Sequence, residues 1–102
     1  MKKIALITGA TSGIGEACAR RFADGGYDLI ITGRRAEKLA AIKEDIEAQG
    51  TKVKTLTFDV RDADAAEAAI NSLEPEWRNL DVLINNAGLA LGLDKEFEGD
   101  PV

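Results

Sequence analysis

The sequence has no histidine, one cysteine (Cys18) and one tyrosine (Tyr27) in its 102 residues. Without histidine it lacks the commonest metal ligand and the commonest general base. A single cysteine excludes an intrachain disulfide and a cysteine-built metal site. Long hydrophobic runs are also missing, and none approaches the ~20 residues that a membrane helix needs. Lys2 and Lys3 look like the start of a signal peptide, but Thr8-Gly9 interrupts the apolar stretch that follows. The expected location is therefore cytoplasmic, with no membrane partner. Positive charge is in short supply, with 13 Lys and Arg against 18 Asp and Glu, a net charge of -5. Such a chain has no general attraction for nucleic acid, and any anion it binds must be held by local geometry. What remains, 45% apolar residues with charges of both signs spread throughout, is the composition of one soluble globular domain.

Apolar segments alternate between two kinds. Ile4-Ala5-Leu6-Ile7 is short and continuous, as expected for a strand covered on both faces. A glycine-rich turn, Gly9 to Gly15, follows it. Ile14, Ala17, Cys18, Phe22 and Ala23 then recur at helical spacing, and Gly25-Gly26 stops that helix. Leu29-Ile30-Ile31 reads as a second strand. Leu39, Ile42 and Ile46 mark a second amphipathic helix, ended by Gly50. Val53 to Phe58 reads as a third strand. Asp62 is the expected N-cap of a third helix with Ala66, Ala69, Ile70 and Leu73 on its inner face, closed by Pro75 and Trp77. Val82-Leu83-Ile84 is a fourth strand, and Gly88 to Val102 shows no clear period. This β-α-β-α-β-α-β order predicts an α/β fold with a parallel sheet in the order 3-2-1-4 and helices on both faces. Ligands of such sheets bind beyond the carboxyl ends of the strands where the winding reverses, here between the first and fourth.

Three motifs fall at those carboxyl ends. Thr8-Gly9-Ala10-Thr11-Ser12-Gly13-Ile14-Gly15 joins the first strand to the first helix. Glycines let the chain turn sharply and let a phosphate approach without a Cβ in the way. The unpaired N–H groups of the helix's first turn then face the anion. Gly13 is expected to face that phosphate with no room for a side chain. A plain connecting turn is the competing reading, while a kinase-type phosphate loop is disfavoured because no Gly-Lys-Ser/Thr follows. Asp59-Val60 ends the third strand, where Asp59 could equally be a strand-end cap. Asn85-Asn86-Ala87-Gly88 ends the fourth, where asparagines also serve as ordinary turn residues. The second strand ends in Thr32-Gly33-Arg34-Arg35, with no acid between Thr32 and Ala36. NAD-binding domains usually place a carboxylate there for the ribose 2′-hydroxyl. Two guanidinium groups instead suit a 2′-phosphate, unless they are only a solvated basic pair.

The spacing Gly-x-x-x-Gly-x-Gly, with Asp59-Val60 and Asn85-Asn86-Ala87-Gly88 in the same order along the chain, resembles the short-chain dehydrogenase/reductase family over nearly the whole sequence. Gly33-Arg34-Arg35, Pro75-Glu76-Trp77 and Asn86-Ala87-Gly88-Leu89-Ala90-Leu91-Gly92 look like its NADP-dependent serine and 3-hydroxy acid dehydrogenases. The resemblance implies the first half of a Rossmann-type doubly wound sheet, residues 1–102, that holds NADP. It implies cofactor contacts at Gly9, Thr11, Ser12, Gly13, Ile14, Gly15, Arg34, Arg35, Asp59, Val60, Asn86, Ala87 and Gly88. It further implies a small-molecule hydroxy-acid, alcohol or carbonyl substrate, and a dimer or tetramer of the complete enzyme.

The family's Tyr-x-x-x-Lys pair is absent, since Ile31 stands four residues after Tyr27. Ser12 has no base beside it. No catalytic residue is therefore assigned, and the 102 residues alone are expected to show no turnover, being cut before the catalytic half. The edge at Leu83 is expected to lie open and prone to association. Two other readings stand beside an oxidoreductase. One is a non-catalytic dinucleotide-binding module. The other is a methyltransferase, which the asparagine segment and the arginine pair disfavour.

Overall fold

The computed structural model describes residues 3–59, 62–84 and 86. Strand β1 (Ile4–Ile7) leads to α1 (Gly13–Asp24), β2 (Asp28–Gly33), α2 (Ala36–Glu47) and β3 (Val53–Thr57). Helix α3 (Ala63–Asn71), a 3-10 turn (Pro75–Trp77) and β4 (Val82–Ile84) complete the described chain. All strand pairs are parallel, and their order is β3-β2-β1-β4, as the alternation predicts. Leu6 of β1 lies level with Ile30 of β2 and Leu83 of β4.

The unbroken apolar runs reflect cover on both faces of the sheet. Ala5 and Ile7 pack with Leu29 and Ile31 against Ala19 of α1 and Leu39, Ile42 and Ile46 of α2. Ile4 and Leu6 face the other way, joining Ile30, Leu56 and Phe58 against Ala66, Ile70, Leu73 and Trp77. Each large aliphatic side chain so buried contributes about 1.5–3 kcal/mol. Helix boundaries follow local chemistry. Gly26 and Gly50 take left-handed φ of 90° and 95° just after α1 and α2. Asp62 caps α3 by accepting from the Ala65 N–H at 3.0 Å. Arg78 closes the far end of α3, donating to the carbonyls of Leu73 at 2.8 Å and Asn71 at 2.7 Å.

Three details depart from the sequence reading. Leu73 is buried but lies past the end of α3, which stops at Asn71. Phe58 lies just past β3, though it is buried. The inner face of α1 is Gly15, Ala19 and Ala23, flanked by Cys18 and Phe22, while Ile14 and Ala17 face solvent. The phase is set by Gly15, which has no side chain and so brings the helix start tightly against Gly9 and Ala10 in the turn after β1. Val60, Asn85, Ala87, Gly88 and the segment after them lie outside the described residues.

Candidate functional site

The carboxyl ends of β1, β2 and β4 meet at one end of the sheet through backbone hydrogen bonds. Ala10 N–H donates to the Thr32 carbonyl at 2.9 Å, and Thr8 N–H donates to the Ile84 carbonyl at 3.0 Å. The Thr8 hydroxyl also reaches the Ile84 carbonyl, at 3.4 Å. The glycine turn is thus stitched to the strands on either side of β1. Tyr27, by contrast, precedes the start of β2 at the opposite end, where it packs edge-on against Phe22 at 4.9 Å.

Within the turn the three glycines have different reasons to be there. Gly9 has a left-handed φ of 64°, which a side chain would strain. A Cβ on Gly15 would fall 2.1 Å from the Gly9 carbonyl oxygen, so the protein's own backbone excludes it. A Cβ on Gly13 would meet nothing within 4 Å. No atom of the described residues therefore demands glycine at 13, and the position is open on that side to a ligand. Ser12 is the N-cap of α1, accepting from the Gly15 N–H at 3.1 Å. Gly13 and Ile14, the first two helical residues, have N–H groups with no partner inside the helix. Ile14 itself is 72% exposed, the one large apolar side chain that stands open among the described residues.

Asn86 reaches this turn from the end of β4. Its Nδ2 donates to Ser12 Oγ at 3.0 Å and to the Gly9 carbonyl at 3.3 Å. Spacing along the chain gave no sign of that link. Thr11 lies beside the end of β2, where a Cβ on Gly33 would come within 3.0 Å of Thr11 Cγ2. Arg34 and Arg35 follow immediately and are exposed. No hydrogen bond or ion pair ties either guanidinium among the described residues. Arg20, by contrast, bridges Glu16 at 2.8 Å and Asp45 at 3.3 Å, contacts that raise its pKa above the ordinary arginine value. Arg35 occupies the N-cap position of α2 without a capping side chain. Asp59 is half-buried past β3, and its carbonyl accepts from the Asp62 N–H at 2.9 Å.

An anionic, phosphate-bearing group fits these residues. The open side of Gly13, the unpaired N–H groups beside it and the unengaged arginines all offer what phosphate oxygens accept. No cluster of metal-ligating side chains occurs among the described residues. No helix among them is long and apolar enough to cross a membrane.

A doubly wound parallel sheet with a glycine turn at its first strand–helix junction defines a Rossmann-type α/β domain. Residues 3–100 match the short chain dehydrogenase family, and the chain belongs to that family. It is 52% identical over 91 residues to the NADP-dependent 3-hydroxy acid dehydrogenase of Salmonella typhi, covering 89% of this chain and 36% of that protein. Sulfoacetaldehyde reductase 2 of Chromohalobacter salexigens is also 52% identical over 91 residues, with the same coverage of 89% and 36%. The crystal structure of serine dehydrogenase from Escherichia coli superposes with a TM-score of 0.76 at 47% identity, over 88% of this chain and 40% of that one. The chain thus spans about a third of the length of the curated relatives it matches, 36% in both cases.

Proposed function

We propose that these residues are the nucleotide-binding part of an NADP-dependent oxidoreductase acting in the cytoplasm on a small hydroxy acid or a related alcohol or carbonyl compound. The observation that carries this reading is the pair Arg34 and Arg35, exposed and without an ion pair among the described residues at the end of β2, beside a glycine turn and with no carboxylate between Thr32 and Ala36. A carboxylate there would repel a 2′-phosphate, whereas guanidinium groups pair with it.

In this reading the N–H groups of Gly13 and Ile14 hold the pyrophosphate, and Gly13 gives it room. Arg34 and Arg35 hold the 2′-phosphate, while Asp59 and Val60 approach the adenine. Thr11 and the segment Asn86-Ala87-Gly88 line the approach, and the Ile14 side chain provides an apolar contact that would otherwise stay in water. NADP, when bound, would supply the acceptor or donor of hydride. These 102 residues contain no Tyr-x-x-x-Lys pair to move the substrate's proton, so their part is binding and orientation. The substrate is proposed only as a class, because relatives named for a 3-hydroxy acid and for sulfoacetaldehyde are equally identical to this chain.

Fluorescence titration of the chain with NADPH and NADH tests the reading. Tighter binding of NADPH is expected. Equal affinities, or no binding of either, would overturn it.

A further inference from the structure

Ser12 stands where a phosphate ligand is expected, yet its hydroxyl is already committed. Oγ donates its one hydrogen to the Gly9 carbonyl at 2.9 Å. It accepts from the Gly15 N–H at 3.1 Å and from Asn86 Nδ2 at 3.0 Å. A serine hydroxyl has one donor and two acceptor lone pairs, so all three are used. A pyrophosphate oxygen at neutral pH only accepts, and Ser12 has no donor left to offer it. The Gly9 carbonyl is the other shared point. It accepts from the Ser12 N–H at 3.2 Å as well as from Ser12 Oγ and Asn86 Nδ2.

We infer that Ser12 is a positioning residue and not a phosphate ligand. Its hydroxyl and the Asn86 amide form one brace across the point where the sheet's winding reverses. The brace holds Gly9 in its left-handed conformation and holds Gly15 against it, which fixes the direction of the Gly13 and Ile14 N–H groups. Any affinity that depends on Ser12 is then conditional on Asn86, because two groups in one hydrogen-bond network couple. A direct ligand would contribute whether or not Asn86 were present. This inference rests on the reading of the turn as a phosphate site, but the brace can be tested without any nucleotide.

The experiment compares the unaltered chain with Ser12→Ala, Asn86→Ala, the double variant and Ser12→Thr. NADPH affinity is read by titration, and exchange of the Gly15 amide by NMR with no nucleotide present. Each alanine variant should weaken NADPH binding several-fold. The double variant should be no weaker than the worse single one, within about twofold. Ser12→Thr, which keeps the hydroxyl, should restore affinity, and the preference for NADPH over NADH should not change in any variant. Gly15 exchange should quicken in both Ser12→Ala and Asn86→Ala. Losses that multiply in the double variant would overturn the inference and make Ser12 a direct ligand. If the unaltered chain binds no NADPH, the proposed function fails by itself. The brace is then judged on exchange alone, and an unchanged Gly15 amide in Asn86→Ala would overturn it.

Discussion

A side chain on Gly15 would collide with the carbonyl oxygen of Gly9, because a Cβ built there lies 2.1 Å from it. The start of α1 is thereby packed backbone to backbone on the turn that follows β1. Gly15→Ala should force the two apart. The expected cost is that of overpacking a tight interior, about 1–3 kcal/mol, with NADPH affinity falling alongside it. Thermal denaturation and NADPH titration of one sample check both. An unchanged melting temperature would show that the turn yields easily.

Gly13 behaves in the opposite way. Among the described residues, nothing lies within 4 Å of the position a Cβ would take, so Gly13→Val should leave the fold within ~1 kcal/mol of its original stability. Cofactor binding should be lost, since the added methyl groups fill the side from which a phosphate would approach. The pairing of normal denaturation with absent NADPH binding is the expected signature. Retained affinity would remove the phosphate from this turn.

Arg34 and Arg35 are expected to discriminate between cofactors without contributing to the fold. Both are exposed and have no side-chain partner among the described residues, so replacing them with neutral residues should leave stability nearly unchanged. NADPH binding should weaken by about 1.5–3 kcal/mol for each charged hydrogen bond lost. NADH binding should change little. Parallel titrations with the two cofactors read the difference, and equal losses for both would mean that the pair does not contact a 2′-phosphate.

Thr32 presents a buried defect. Its hydroxyl is fully shielded and has no hydrogen-bond partner among the described residues. A hydroxyl buried without a partner costs roughly 1–3 kcal/mol. Thr32→Val keeps the branched shape and removes the oxygen, so stability should rise by about 1 kcal/mol or more. A lower denaturation midpoint in urea would show that the hydroxyl has an acceptor in solution.

Most of the fold was legible because its signals are local. Ile4 to Ile7 has no alternation because both faces of β1 are covered, and Asp62 caps α3 by a contact with Ala65 only three residues away. The phase of α1 was harder to read. Ile14 counts as apolar in any periodicity, yet it is exposed, while Gly15 carries no hydrophobic signal and is buried. The Ser12–Asn86 contact was not readable at all, since it spans 74 residues and depends on where β4 ends relative to β1.

The sequence by itself determined the alternation of strands and helices, the 3-2-1-4 order and the three motifs at strand ends. Each follows from short-range propensity, from the handedness of crossovers or from the identity of a few adjacent residues. Only the tertiary structure decided what each residue of the turn is for. Gly9, Gly13 and Gly15 are the same amino acid, and their spacing cannot say which is held by its φ, which is open to a ligand and which is pressed against backbone. Those differences arise when β1, β2 and β4 are brought side by side. Contacts between distant segments exist only after the chain has closed on itself.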